Sequence, residues 1–188
     1  RQGGRALWLS GLCWGVMFTA FMVALTLTTV ASVLVTMAAG PLLTALIARI
    51  TLGHRIPART WAAILAAGVG IAWMFGHQAG GSGIAGTLVA LLVPLAGAVN
   101  WTIAQRAHAR GHDVDLVPAV LVGAALSSLA TLPLALPFQA TPHDLGLLAF
   151  LGLTQLAIPC ALAVVCARVL QAPEISLLAL LEVVFGIA

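Results

Sequence analysis

The stretch SGLCWGVMFTAFMVA, residues 10–24, runs for fifteen residues without a charge. Such a run is either the buried helix of a large core or a helix in lipid, and the rest of the chain decides between them. Of 188 residues, 62% are hydrophobic and only 7% are charged, whereas soluble domains carry about 25% charged residues. Mean hydropathy is +1.13. So few polar side chains cannot cover a water-soluble fold of this size. Crossing a hydrocarbon core of ~30 Å takes about 20 residues of helix, and the run extends to that length on its flanks. A closed β-barrel also satisfies its backbone in lipid, but its strands alternate in polarity over about 10 residues. The apolar runs here are continuous, so the expected fold class is all-α, a polytopic membrane helix bundle.

Hydropathy divides the chain into seven helical segments, near 6–26, 29–51, 57–76, 84–106, 115–137, 145–170 and 173–188. The first follows Arg1 and Arg5 as a signal peptide would, but it is too long for a typical h-region and further full spans come after it. The eight basic residues are all arginines, and they test the segmentation. Arg1 and Arg5 precede span one; Arg49, Arg55 and Arg59 lie at the turn after span two; Arg106 and Arg110 follow span four; Arg168 ends span six. If seven spans alternate, all of these fall on one side. The opposite turns, 25–30, 76–83 and 137–146, contain no Arg. The Arg-bearing side is expected to be cytoplasmic.

Residues 10–24 also have a second copy. Shifted by 141 positions they lie over LGLTQLAIPCALAVV, 151–165, with Gly11/Gly152, Leu12/Leu153, Ala20/Ala161 and Val23/Val164 coinciding. That offset is five spans, an odd number, so the copies are expected to cross the membrane in opposite directions. Inverted repeats of this kind are a transporter architecture with the substrate site near the midplane. Two units of five helices make ten. The expectation is therefore a bundle of two inverted repeats in which about seven of ten helices are present, with two before Arg1 and the remainder after Ala188.

Four stretches now resemble the EamA-type permeases of the drug/metabolite transporter superfamily. GPLLTALIARITLGHRIPARTWAAILAAGVGIAWMF, 40–75, is similar to the segment that closes the family's first repeat, with Pro41, Gly53, Trp61, Gly68 and Gly70 in place. GTLVALLVPLAGAVNWTIAQR, 86–106, is similar to the start of the second repeat, LGLTQLAIPCALAVVCARVL to the eighth helix, and LLALLEVVFGIA, 177–188, to the start of the ninth. The chain departs from the family at His54, where a glutamate is common, and at Val183, where a proline usually follows the glutamate. The resemblance implies that 1–80 is the remainder of the first repeat (helices 3–5) and 81–188 the start of the second (helices 6–9). It further implies a bacterial inner-membrane location and transport, often export, of small metabolites such as amino acids.

Depth singles out the candidate site. With a rise of about 1.5 Å per residue, Glu182 and Trp14 lie about 12 Å from the cytoplasmic edge, Pro41 about 14 Å, and Asn100 and Trp101 about 8–9 Å. Gln155 lies about 14 Å from the other edge. These six, Trp14, Pro41, Asn100, Trp101, Gln155 and Glu182, are the candidates for a substrate cavity. Glu182 is the only ionisable residue deep in a span. A charge there costs at least ~2.5–3.5 kcal/mol, so it must face the bundle interior or a wet cavity. It is either a proton-coupling or substrate-amine contact, or a protonated carboxyl bonded to the Met37 carbonyl that Pro41 frees. Aligning 179–188 on 37–46 sets Glu182 over Gly40. Pro41, Pro94 and Pro159 each fall near the middle of a span, where proline frees a carbonyl and kinks the helix. The tryptophans suit an apolar or aromatic substrate or plain helix packing, and Asn100 and Gln155 a ligand or an interhelical hydrogen bond.

Other motifs carry less. The G-x-G-x-x-G run at 81–86 follows no strand, so it reads as a loop and not a dinucleotide site. His108, His112, Asp113 and Asp115 read as a solvated loop. Cys13, Cys160 and Cys166 have no metal or disulfide spacing. Gly11 and Gly15 permit close helix approach, within the fold or at a homodimer face. The expected partners are a small-molecule substrate and the lipid bilayer, with no cofactor, metal or nucleic acid. An intramembrane lipid-modifying enzyme would need grouped catalytic residues, which the sequence does not provide; a non-transporting assembly subunit is the third alternative.

Overall fold

The first apolar run folds as one uninterrupted helix, α1 (Gln2–Leu27), which has no proline and no interior charge beyond Arg5. The computed structural model describes residues 2–52, 62, 66, 69, 73, 83–109, 115–136, 140–176, 178 and 179. After a tight turn, Thr29 caps α2 (Val30–Met37), its hydroxyl accepting from the Ser32 amide at 3.3 Å. The second span does not continue as one helix. It stops at Met37 and restarts as α3 (Gly40–Leu52). The cause is Pro41, which has no N–H for the Met37 carbonyl. The chain tightens there into short three-residue bonds, Ala38 N to Val35 O at 3.2 Å and Ala39 N to Thr36 O at 3.1 Å.

Helix α4 (Gly83–Ala109) carries Pro94 without breaking. The run at 81–86, expected as loop, thus enters the first turn of α4 from Gly83 onward. A Cβ on Gly86 would lie 2.7 Å from Thr28 Cβ and 2.9 Å from the Leu27 carbonyl carbon, so only glycine lets the α1–α2 turn sit here. Then come α5 (Val117–Ala135) and α6 (Pro142–Leu151). Thr141 and Asp144 close the start of α6 reciprocally: Thr141 Oγ1 accepts from the Asp144 amide, and Asp144 Oδ2 accepts from the Thr141 amide at 2.9 Å. The sixth span then widens into a π-helical turn, Gly152–Ala157, before α7 (Ile158–Cys166). Ile158 donates five residues back to the Leu153 carbonyl, and Pro159 offers no N–H to Gln155.

Helix directions follow from the contacts. Ser10 near one end of α1 meets Asn100 of α4, while Leu27 and Thr28 meet Gly86, so α1 and α4 are antiparallel. Gly11 faces Val122, Gly15 faces Leu126 and Thr19 donates to Ser127 at 2.9 Å, so α1 and α5 are parallel. Gly40 lies against Pro94 and Arg106 donates to the Thr51 carbonyl, so α3 and α4 are parallel. Arg168, just past α7, pairs with Asp115 ahead of α5 at 2.7 Å. The α6–α7 span therefore runs against α5, and against α1. Arg5, Arg49, Arg106 and Arg168 end up at one end of the bundle.

The described residues are all-α, with no strand among them, and five of their helices are long and apolar enough to cross a membrane: Gly4–Leu27, Val30–Thr51, Ile84–His108, Val117–Ala135 and Pro142–Cys166. Of the seven expected segments, most of the third and most of the seventh lie outside the described residues. The core is thin and mostly alanine, valine and tryptophan, while large apolar side chains such as Leu12, Leu121, Leu148 and Leu162 face outward. Such a surface suits lipid and would be unstable in water.

Candidate functional site

Helix crossings at the centre set the site. Gly11 and Gly15 admit α5 within the fold, against Gly123, whose own missing Cβ would collide with Trp14 Cβ and lie 2.9 Å from the Gly15 amide nitrogen. This close approach presses Trp14 (4% exposed) against Trp101 of α4. The two rings are perpendicular, with centroids 5.9 Å apart. Phe18 also packs against Trp14, tilted by 34° with centroids 5.4 Å apart. The Trp14 Nε1 is buried without a hydrogen-bond partner among the described residues. An orphaned buried donor costs on the order of 1–3 kcal/mol.

Beside the tryptophans lies a cavity of about 460 Å³. Trp14 and Met17 of α1 form one wall, and Pro94, Gly97 and Trp101 of α4 the next. Met37, Gly40 and Thr44 line it from the α2–α3 break. Gln155 of the π-helical turn, with Pro159 and Cys160 of α7, faces them, and Ser176 and Ala179 complete the lining. Its size falls within the 300–1,000 Å³ common for small-ligand sites. The α2–α3 break, the π-turn and two mid-span prolines therefore all border one space.

Polar groups in this wall are mostly occupied. Thr44 donates to the Gly40 carbonyl at 2.8 Å and Ser176 to the Pro173 carbonyl at 3.0 Å. Gln155 has no hydrogen-bond partner among the described residues. No acid, base or histidine is among the described lining residues, and no group of three His, Cys, Asp or Glu there could hold a metal ion.

The six sequence candidates separate. Trp14, Trp101 and Gln155 meet at the cavity. Pro41 makes the break beside it, but its neighbours Gly40 and Thr44 supply the lining. Asn100 points elsewhere: it is 1% exposed, and its Oδ1 accepts from Ser10 at 2.6 Å, tying α4 to α1. Glu182 lies outside the described residues. Sequence reading missed Ser10, Met17, Thr44, Gly97 and Ser176. Met17 and Gly97 stand one helical turn from Trp14 and Trp101, so helical spacing was the signal that could have found them.

No protein-family model matches the chain, and neither does any curated protein or solved structure.

Proposed function

We propose that the chain is part of a multi-pass inner-membrane transporter that moves small molecules by alternating access around this cavity, with its Arg-rich end in the cytoplasm. The carrying observation is the cavity itself, bordered by a broken helix, a π-helical turn, Pro94 and Pro159. Transporters build their midplane sites from discontinuous helices of this sort. Two observations support the repeat architecture: spans 10–24 and 151–165 share residues at a fixed offset and run in opposite directions. The resemblance to EamA-type permeases points the same way and favours export of small metabolites. Arginines at one end of the bundle favour that end as cytoplasmic.

Glu182 lies outside the described residues; as the only ionisable residue deep in a span of the sequence, it is proposed as the group that exchanges a proton during transport, and Glu182→Gln is expected to change transport or its pH dependence while the folded protein persists. Wild-type transport by that variant at every pH would remove the role.

The test of the whole reading is a metabolite efflux and uptake screen in cells overexpressing the full-length gene. Its control is Gly97→Leu, which fills the cavity. A Cβ at Gly97 would meet Met17 and Trp101 atoms at 3.7–3.9 Å, ordinary contact distances, so a side chain has room to begin there, and the amount of folded protein is compared for both. At least one metabolite should move with the wild type and not with the filled variant. Equal profiles for both, at equal expression, would sink the proposal.

A further inference from the structure

The cavity wall carries a substrate class. Its described lining consists of two indoles, two thioethers, one thiol, two hydroxyls that donate to backbone carbonyls, prolines, small and aliphatic residues, and one carboxamide with no partner among the described residues. A ligand charge placed here would find no counter-charge among these groups, and unpaired charge is the most expensive thing to bury. The perpendicular pair of Trp14 and Trp101 gives a flat ring both a face and an edge to pack on. Gly97 keeps the α4 side open: Met17 Sδ and Trp101 Nε1 each lie 3.9 Å from where its Cβ would be. Met17 and Met37 are unbranched and adapt to the ligand's outline.

Gln155 supplies the one polar fixture. The π-helical turn inserts an extra residue into the span, and such turns are frequent at functional sites. Its carboxamide both donates and accepts, and among the described residues it has no partner.

We propose that the cavity binds an uncharged, ring-bearing molecule with a single hydroxyl or carbonyl group, its rings held by Trp14 and Trp101 and its polar group by Gln155. This rests on the cavity being a ligand site, as the transport reading requires, but adds the charge and shape of the ligand.

Three fluorescent probes of one shape test it: 9-anthracenemethanol, its trimethylammonium counterpart and 9-anthracenecarboxylate. Each is titrated onto the purified full-length protein, and energy transfer from tryptophan to anthracene is read, with Gly97→Leu as the blank. The alcohol should give saturable transfer that Gly97→Leu abolishes, and both ions should bind about tenfold or more weakly. Gln155→Leu should weaken the alcohol several-fold and leave unsubstituted anthracene unchanged. Equal or tighter binding of either ion overturns the uncharged class while leaving the cavity as a site. An unchanged affinity for the alcohol in Gln155→Leu overturns the role of Gln155. If no probe gives transfer sensitive to Gly97→Leu, the cavity is not a ligand site, and the transport reading loses its carrying observation.

Discussion

Residues 10–24 and 151–165 resemble each other in sequence, yet they sit in different surroundings. In α1, a third of the apolar stretch is buried, flanked by α4 and α5; in the α6–α7 span the share is 6%. Gly11 and its copy Gly152 show why. A Cβ on Gly11 would lie 2.7 Å from Val122 Cγ1, whereas a Cβ on Gly152 would meet nothing within 4 Å. One glycine permits a helix crossing; the other opens a π-helical turn that carries Gln155. Coincident letters in apolar spans thus carry direction and length, while the partner across the groove decides what each residue does.

The sharpest way to break this contrast is at the glycines. Gly123→Val drives a branched side chain into Trp14 and the α1 backbone, and should prevent recovery of folded, monodisperse protein. Gly123→Ala should cost roughly 1–3 kcal/mol, the usual range for overpacking, read as a lowered midpoint of thermal unfolding in detergent. Gly152→Ala should stay within about 0.5 kcal/mol of wild type. Equal effects at 123 and 152 would mean that α1 and α5 do not cross as closely as described.

The two mid-span amides, one buried and one exposed, give a second, smaller contrast. Asn100 is buried and its Oδ1 accepts from Ser10, whereas the exposed Gln155 side chain has no hydrogen-bond partner among the described residues. Asn100→Leu orphans the Ser10 hydroxyl and should cost about 0.6–1.7 kcal/mol, the range measured for interhelical bonds in membranes. Ser10→Ala added to it should cost less than the sum of the two single changes, which a double-mutant cycle reads directly. Gln155→Leu should leave the unfolding midpoint in place and act only on ligand binding.

This contrast also shows how far the sequence could be read. The helical class and the positions of five spans were legible because long continuous apolar runs in a chain with so few charges fit helices in lipid. Trp14, Trp101 and Gln155 were legible by depth alone, since each lies near mid-span. Asn100 was equally deep but was given no partner, because depth does not say which side of a helix faces the cavity. Its role depends on Ser10, ninety residues away. The α2–α3 break could be anticipated from Pro41, but the π-turn at 152–157 could not. Proline marks a missing donor, and whether the chain breaks, bends or widens depends on what packs beside it: Pro94 sits in a continuous helix and Pro41 at a gap.

The smallest effect concerns how the less buried span is held. Along its flank it has few partners, but its end is pinned twice: Arg168 pairs with Asp115, and the Ala172 amide donates to Gln105 Oε1 at 3.3 Å. The ion pair is largely exposed, so Asp115→Asn should shift global stability by no more than the ~0.2–1 kcal/mol typical of such pairs, and less at high salt. Its effect should instead be local. Hydrogen exchange should quicken in 158–170 and stay unchanged in 10–24, because α1 is held by side-chain packing along its length and not by its end. Faster exchange in both spans would show that the pair braces the whole bundle, and no change in either would leave the Gln105 contact as the tether that holds the sixth span.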